Sequence, residues 1–363
     1  MSRHEKSRHH RDEKRDCDEA RNEFDFVLAG LGTAAAPLAR QLSEDGRWSV
    51  LVIEGGRDRQ NDPLVLATDT DALDQRPKYH WFWPANLQPI EQPSAFFSNY
   101  TEGRMWGGSS GHNYFLVARG TPDVYDSWAT VDPRWSYASL LPAMRYLETY
   151  TPFGTPINPG QRGTDGPLFV TQDPTQPPGP NALAAAYAAA ANAPYVFDYN
   201  DPDSGDVGIS APQFFIDPST EQRSWAAPAF LRVGEIVDED GRGLDGRRLR
   251  IESGAVVDRV LFDEEGSRSR EKHGRPTAVG VRYRNDRDEI VDAFARRKVI
   301  LCAGTIADPQ ILQRSGIGDR ALLESLDVEV VLHNPNVGRN MQTHYGVVAI
   351  IAPPPDAVAA ERI

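Results

Sequence analysis

The sequence predicts an α/β fold built on a Rossmann-like parallel sheet with helices on both sides. Two short apolar, β-prone runs, residues 25–29 and 50–53, enclose a glycine turn and an Ala/Leu-rich helical stretch, residues 34–42. A strand, a turn, a helix and a second buried strand in this order form the repeating unit of a parallel sheet. Val/Ile-rich runs at residues 248–262 and 277–283 predict further strands.

The glycine turn after the first strand has the pattern of a dinucleotide site. Gly30, Gly32 and Ala35 form G-x-G-x-x-A. The first glycine allows a tight turn, the second lets the backbone approach a pyrophosphate, and the third small residue lets the helix pack on the strand. The helix N-terminus offers N–H groups to the phosphates. Glu54, which ends the second strand, can accept both ribose hydroxyls. The alternative interpretation is a glycine turn that only joins strand to helix.

Composition limits the classes of protein that the chain can belong to. Its 363 residues predict two domains or one large domain with an ample core. A net charge of −13 argues against a general nucleic-acid surface. Two cysteines, Cys17 and Cys302, provide no disulfide framework, which favours a reducing compartment. Since we find neither an apolar run of membrane-spanning length, about 18–20 residues, nor a signal-peptide core, we expect a cytoplasmic protein without a membrane partner.

The other segments are predicted from composition and periodicity. Residues 1–23 are mixed-charge and nearly devoid of apolar side chains, which predicts a disordered tail. Residues 60–98 predict irregular loop and a short helix, where Trp81, Phe82 and Trp83 pack or a tryptophan stacks on a flat ring system. Helices are predicted at 125–148 with a break at Asp132 and Pro133, at 181–193, at 223–232 and at 309–315, and strands at 168–171, as a pair within 289–303, and at 328–332.

Four ordered segments resemble the glucose–methanol–choline (GMC) oxidoreductases, flavoproteins that oxidise alcohols. The opening FDFVLAGLGTAAAPLA with VLVIEGG is similar to the N-terminal FAD motif of that family. GRMWGGSSGHN resembles its first signature, with Trp106 where a smaller aliphatic residue is usual. GTIADPQILQRSGIG resembles its second signature, with Asp308 where a hydroxyl residue is expected, and NVGRNMQTH resembles a later stretch, with Thr343 replacing an acid. The choline-oxidising branch is the most similar.

The resemblance implies an FAD cofactor and a set of residues that hold it. It places the pyrophosphate near Gly30, Gly32, Thr33 and Ala34, and the adenosine ribose near Glu54. The ribityl and isoalloxazine side would lie near Arg104, Gly107, Gly108, Ser109 and Asn113. The adenine would meet the backbone of Val257, with Ala303 and Gly304 close by. Glycine-rich backbone makes the close approach of a large flat cofactor sterically possible.

His112 is singled out by the same resemblance. In the choline-oxidising branch, a histidine directly before the asparagine is the attachment point of a covalently bound flavin, and an imidazole nitrogen is a competent nucleophile toward the flavin methyl group. Other members keep a histidine here without forming the bond. Both a covalent 8α-histidyl flavin and a histidine packed beside the flavin therefore stay open.

The family's catalytic histidine has no counterpart that we find in this sequence. It lies near the family's C-terminus in a His-x-x-Gly-Thr-like stretch and takes the hydroxyl proton while hydride passes to flavin N5. No catalytic residue and no metal ligand is therefore assigned here. We expect a fragment, one half of a split gene or a non-catalytic relative, and we expect the apolar run at residues 346–352 to pair with another copy or a second chain.

Two classes of function follow. The first is an FAD-dependent oxidoreductase acting on small alcohols and completed by a second chain or a homo-oligomer. The second is a structural or assembly protein, for example a virion component, that reuses the fold, and a nucleotide-binding module without turnover lies between them. The predicted organisation is a charged tail at 1–23, a discontinuous FAD-binding domain at 24–150 and 223–342, and an incomplete α+β substrate domain at 151–222 and 343–363.

Overall fold

The structure, a computed structural model, describes residues 22–70, 73, 76–86, 97–152, 157–172, 180–205, 207–263 and 276–342. The predicted tail up to residue 21 and the apolar run at 346–352 lie outside these residues. The strands are β1 Glu23–Ala29, β2 Val50–Glu54, β3 His80–Asn86, β4 Phe97–Gly103, β5 Glu148–Thr151, β6 Leu168–Gln172, β7 Gln213–Phe214, β8 Ile216–Asp217, β9 Gln222–Arg223, β10 Leu249–Ser253, β11 Val256–Phe262, β12 Ala278–Arg284, β13 Ile290–Leu301, β14 Ile317–Gly318 and β15 Leu332–His333. The helices are α1 Ala35–Ser43, α2 Pro63–Leu66, α3 Pro122–Ala129, α4 Tyr137–Leu147, α5 Pro180–Ala190, α6 Ala226–Phe230, α7 Ala307–Arg314 and α8 Arg320–Ser325.

A six-stranded sheet in the order β10-β2-β1-β13-β12-β11 organises the described chain. The first four strands of this order run parallel, and the β12 and β11 neighbours are antiparallel. The carboxyl ends of β1, β2 and β13 therefore meet at one edge, which is where ligands bind in open α/β sheets.

The two faces of the sheet are buried against different elements, as the alternation of side chains along a strand requires. Leu28 and Val52 lie in one apolar cluster with α1 and α6. Val27 and Ile53 lie in a second cluster with β11 and with Ile311 of α7. Because both faces are covered, the central strands carry continuous apolar runs rather than an alternating pattern. The predicted α/β class with helices on both sides of a parallel sheet is confirmed.

The segment predicted as irregular loop contains a β-hairpin instead. β3 pairs antiparallel with β4, with Trp81 opposite Glu102 and Trp83 opposite Tyr100. This prediction was wrong because the paired residues lie far apart along the chain, and no short turn signal such as Asn-Gly connects them.

The predicted pair of strands in residues 289–303 is one strand, β13, of 12 residues. Its first half pairs antiparallel with β12, and its second half pairs parallel with β1. The charged residues Arg296, Arg297 and Lys298 interrupt the apolar pattern of this stretch. Two different partner strands satisfy the backbone of β13 along its length, so the strand continues through this charged run.

A smaller sheet, β5-β6-β7, lies outside the main one and contains the predicted strand at 168–171. The predicted helical break is confirmed: α3 ends at Ala129 and α4 begins at Tyr137. Between them, Asp132 accepts a hydrogen bond from the Arg134 N–H and caps a short 3₁₀ turn. Two predicted elements are shorter than expected, α6 at five residues and β15 at two. None of the described helices combines the length and apolar character needed to cross a membrane.

Candidate functional site

The first turn, residues 30–34, links β1 to α1 at the carboxyl edge of the sheet. Gly30 has φ +93°, and its N–H donates to the Ile53 carbonyl at 2.8 Å. A Cβ at Gly30 would lie 2.5 Å from the Cys302 carbonyl oxygen, so only glycine lets the end of β13 approach. Gly32 differs, since its nearest neighbour would be 3.5 Å away. The first glycine is therefore required by packing, whereas the second borders open space.

Glu54 fastens the first turn to the end of β2. Its Oε2 accepts from the Leu31 N–H at 2.8 Å, and its Oε1 accepts from the Gly56 N–H at 2.6 Å. Burial raises the pKa of Glu54, while these hydrogen bonds and the charge of Arg104 oppose the rise. Each carboxylate oxygen has a second lone pair, so the side chain can still accept hydroxyl donors.

The second turn, residues 103–113, lies directly against the first. Gly107 donates its N–H to the Leu31 carbonyl at 2.7 Å. Gly108 has φ +53°, and a Cβ there would lie 2.8 Å from the Gly32 Cα. The Thr33 hydroxyl donates to the Gly107 carbonyl at 3.4 Å. The glycines at these positions let two backbone segments meet without intervening side chains.

The third turn, residues 302–308, follows β13 and extends into the first turn of α7. The Cys302 N–H donates to the Ala29 carbonyl at 2.7 Å, which joins this turn to the end of β1. Asp308 accepts from the Ala303 N–H at 2.8 Å, and Glu102 of β4 accepts from the Thr305 N–H at 3.1 Å. Two carboxylates thus hold the third turn in place.

These three turns and the β3–β4 hairpin enclose a cavity of about 600 Å³. A second cavity of about 200 Å³ shares Gly30, Glu54, Trp81 and Ala303 with it and continues toward Val257 and Arg314. Volumes in this range suit a cofactor-sized ligand. The larger cavity is lined by Gly30, Gly32, Thr33, Ala34, Glu54, Trp81, Tyr100, Glu102, Gly103, Gly108, Ser109, Leu301, Cys302, Ala303, Gly304, Thr305, Asp308 and Pro309.

Most residues predicted to bind the cofactor lie in the walls of these cavities, although this does not test their roles. Gly30, Gly32, Thr33, Ala34, Glu54, Gly108, Ser109, Ala303 and Gly304 line the larger cavity, and Val257 lines the smaller one. Among the described lining residues, Arg104, Gly107, His112 and Asn113 are absent. Their roles in cofactor binding stay predictions.

The four other predicted residues support the turns from outside. Arg104 donates through Nε to the Gly55 carbonyl at 3.1 Å and lies 4.5 Å above the Trp81 ring. Asn113 accepts from Arg223 at 3.1 Å. Gly107 leaves no room for a Cβ, which would lie 2.8 Å from the Ala227 nitrogen. The His112 ring packs on His80, with 4.4 Å between centroids.

Sequence reasoning left Trp81 open between packing and stacking on a flat ring system, and it missed other wall residues, mainly on the β3–β4 hairpin. Trp81, Tyr100 and Glu102 line the larger cavity, together with Asp308 of the third turn. The Trp81 and Trp83 rings stack at 6.2 Å, and Trp83 donates through Nε1 to Glu102 at 2.9 Å. The two tryptophans at alternate positions of HWFW were the available signal, since alternate residues of a strand share one face.

The cavity fits a dinucleotide on physical grounds. No described residue accepts a hydrogen bond from the N–H groups of Thr33 and Ala34, which lie at the N-terminal end of α1. Such N–H groups, with the positive end of the helix dipole, form an anion-binding position. A Cβ at Gly32 would enter the open space beside them. The fold and this cavity define a dinucleotide-binding protein of the Rossmann-like class.

Comparison with known proteins gives the family. Residues 95–346 match the GMC oxidoreductase family, and the chain belongs to that family. It is 36% identical over 336 residues to an oxygen-dependent choline dehydrogenase of Stenotrophomonas maltophilia (strain K279a), with 89% of this chain and 53% of the relative covered.

Solved structures of oxidoreductases have a similar fold. Pyridoxine 4-oxidase from "Mesorbium loti" aligns with a TM-score of 0.69 at 25% identity, covering 86% of this chain and 55% of that one. An FAD-dependent oxidoreductase from Chaetomium thermophilum aligns with a TM-score of 0.67 at 27% identity, covering 86% and 51%. The chain spans about half the length of the curated relatives it matches.

Proposed function

We propose that this chain binds FAD in the two joined cavities. The pyrophosphate lies against the first turn, the adenosine ribose against Glu54, the adenine in the smaller cavity near Val257, and the flavin toward the second turn. One observation carries the proposal: the donor N–H groups of Thr33 and Ala34 border open space that a side chain at Gly32 would fill. The similarity to an FAD-dependent oxidoreductase supports this choice of dinucleotide.

The proposed reaction is oxidation of a small alcohol. When bound, FAD supplies a hydride acceptor for the alcohol carbon. The protein's residues hold and orient the cofactor: Glu54 accepts the ribose hydroxyls, and the glycine turns bring bare backbone against it. A choline dehydrogenase among the relatives supports an alcohol as the substrate class.

The proton of the alcohol hydroxyl needs a base as well. Among the described residues that line the larger cavity, none is a histidine or a lysine. We infer that a group outside these lining residues supplies the base, because general base catalysis requires a group within hydrogen-bond reach of the proton.

We propose further that the flavin is held without a bond to His112. The His112 ring packs on His80, and it is not among the described residues that line either cavity. Ser109, three residues earlier in the second turn, does line the larger cavity. In this arrangement His112 supports the turn from behind.

The substitution Gly32→Trp tests the proposed site. The indole would fill the space in front of Thr33 and Ala34, so we expect loss of FAD binding, at least tenfold in Kd, with the fold retained. The matched control is Gly160→Trp on the exposed loop at residues 157–161, where the nearest atom to a Cβ is the Asn158 side-chain oxygen at 3.1 Å. Flavin fluorescence on titration of the purified chain measures both.

Unchanged FAD binding in the Gly32→Trp variant would refute the site. The absorbance spectrum, taken before and after adding choline and simple primary alcohols, then tests the reaction. Bleaching of the flavin band supports alcohol oxidation. A stable yellow protein whose band does not bleach, alone or mixed with a candidate partner chain, indicates a nucleotide-binding or assembly role instead.

A further inference from the structure

The walls of the larger cavity carry an unusual balance of charge for the binding site of an anionic cofactor. Three carboxylates line it, those of Glu54, Glu102 and Asp308. No lysine, arginine or histidine is among the described residues in its walls. A pyrophosphate brings further negative charge, and like charges repel each other strongly at short range in a partly desolvated site. The proposed contact with the ribose hydroxyls explains the presence of Glu54, whereas it does not explain Glu102 and Asp308.

Glu102 and Asp308 occupy the donors that a second phosphate position would need. Asp308 takes the Ala303 N–H at 2.8 Å, and Glu102 takes the Thr305 N–H at 3.1 Å. The Glu102 carboxylate also lies against bare backbone, because a Cβ at Gly304 would be 2.7 Å from its Oε1. The third turn is therefore closed to an anion by the chain's own side chains. In the first turn, by contrast, the N–H groups of Thr33 and Ala34 donate to no described residue.

The surroundings favour the neutral form of both acids. Burial raises the pKa of Glu102, and the charge of Asp308 adds to the rise against the hydrogen bonds from Trp83 and Thr305. Burial likewise raises the pKa of Asp308, opposed by the N–H groups of the third turn. The same two causes, burial and Asp308, raise the pKa of the Cys302 thiol to about 11, so this thiol stays uncharged near neutral pH.

The other charged and titratable groups that face the pair do not neutralise it. Tyr100 of β4 lines the cavity beside Glu102, and burial followed by the charge of Glu102 raises its pKa. Glu54 of β2 lines the same cavity. Two cations of neighbouring segments contact other groups: Arg104 stacks on Trp81 and opposes the rise in the pKa of Glu54, and Arg314 donates to the Asp258 carbonyl and lines the smaller cavity.

We propose, resting on the function above, that Glu102 and Asp308 are specificity-determining residues, which confine the pyrophosphate to the first turn and couple dinucleotide binding to proton uptake. The bound anion disfavours their ionised forms, so the complex binds more protons than the free protein. The two acids therefore have higher pKa values in the complex than in the free protein. Between these two sets of pKa values, the affinity for the dinucleotide falls as the pH rises.

The test measures FAD and ADP binding to the purified full chain by calorimetry from about pH 5.5 to about pH 8, in buffers of different ionisation enthalpy. Because a shift of one pKa unit corresponds to tenfold in affinity, we expect the Kd of both ligands to rise about tenfold over this range. Proton uptake should appear directly as a buffer-dependent binding enthalpy. Uncharged riboflavin is the ligand control and should show neither effect.

Asp308→Asn keeps an oxygen acceptor for the Ala303 N–H and removes the charge, so it should tighten ADP binding at about pH 8 by about threefold to tenfold and flatten the pH dependence. Glu102→Gln is the second variant, for the case that Asp308→Asn fails to fold. Asp319→Asn is the matched control, since Asp319 also accepts a backbone N–H, that of Leu322 at 3.1 Å, at the start of α8 outside the cavity.

The outcomes separate this inference from the proposed function. FAD binding by the unaltered chain with no proton uptake, or a pH slope that persists in both variants, would overturn the coupling alone. Failure of the unaltered chain to bind FAD at any pH would overturn both. Proton uptake that is lost in Asp308→Asn and Glu102→Gln but kept in Asp319→Asn would establish the coupling between dinucleotide binding and proton uptake.

Discussion

His112 shows how much one side chain's surroundings decide. The sequence leaves both a covalent and a non-covalent flavin open for a histidine before Asn113. In the structure, the ring lies edge to face with His80, at 4.4 Å and 76°. His80 is itself buried, with its Nε2 at 2.9 Å from the Leu73 carbonyl. The imidazole of His112 is therefore packed on a ring that is held in place, and not among the described cavity walls.

From this geometry we expect the flavin colour to leave with the supernatant when the loaded protein is precipitated with acid. A bond to His112 would instead keep the yellow colour in the pellet. His112→Ala is the control, because it cannot form the bond. Colour retained by the unaltered protein and released from His112→Ala would contradict the non-covalent arrangement.

At the scale of elements, Asp25 of β1 links neighbouring strands of the parallel sheet near the end where β1 and β2 begin. Its Oδ2 accepts from the Ser49 N–H at 2.9 Å and from the Ser49 hydroxyl at 3.0 Å, just before β2. Its Oδ1 accepts from Arg296 of β13 at 3.3 Å. One carboxylate thus connects three neighbouring strands. Burial opposes its ionisation, but the hydrogen bonds from Ser49 and Arg296 outweigh burial, so the pKa of Asp25 lies below its usual value.

Asp25→Asn should lower the free energy of unfolding near neutral pH by about 1–3 kcal/mol, because charge-assisted hydrogen bonds are lost. Since the folded-state pKa of Asp25 is depressed, its contribution is complete above the unfolded aspartate pKa of about 3.9 and is lost as the pH falls through the folded value. The free energies of unfolding of the unaltered protein and of Asp25→Asn, measured by denaturant titration, should therefore become equal at acidic pH. Asp288→Asn, at an exposed turn, is the control, and a constant difference at all pH values would contradict the assignment.

At the scale of the whole molecule, a buried ionic cluster holds the smaller sheet together. Arg162, with a fully buried side chain, donates to Glu148 of β5 at 2.8 Å and to Asp198 at 2.7 Å. Its guanidinium lies 3.5 Å from the centre of the Tyr150 ring. Arg119 forms a second ion pair with Glu148 at 2.6 Å. The cluster joins segments that are distant in sequence, and none of its members lines the larger cavity among the described residues.

Arg162→Met should cost about 3–5 kcal/mol of unfolding free energy, because it leaves the buried Asp198 without its ion-pair partner and Glu148 with Arg119 alone. Arg134→Met is the matched control: its side chain is 87% exposed and pairs with Asp132, so we expect a much smaller loss of stability, because solvent screens an exposed ion pair. Urea unfolding followed by fluorescence measures both. The FAD Kd of the folded Arg162→Met protein should be unchanged, and equal losses of stability in the two variants would refute the role of burial.

Local pattern was sufficient for the parallel sheet, because its signals lie within short stretches of chain. The glycines at positions 30 and 32, the helix after them and the apolar strands are each readable from neighbours in sequence, and the structure confirms these elements. Of the predicted cofactor residues, nine border the larger cavity for the same reason, as they belong to glycine turns at strand ends.

Tertiary structure alone decided the remaining features, since they depend on contacts between distant segments. The pairing of Trp81 with Glu102 creates a cavity wall that neither strand encodes by itself. β13 stays one strand because two different neighbours satisfy its backbone. Asp308 stands where the family motif has a hydroxyl residue, yet only folding places it beside Glu102 in the wall of the same cavity as Thr33 and Ala34. Sequence determines which backbone can approach a cofactor, and the assembled fold determines which charges meet it there, because electrostatic energy depends on distance in space.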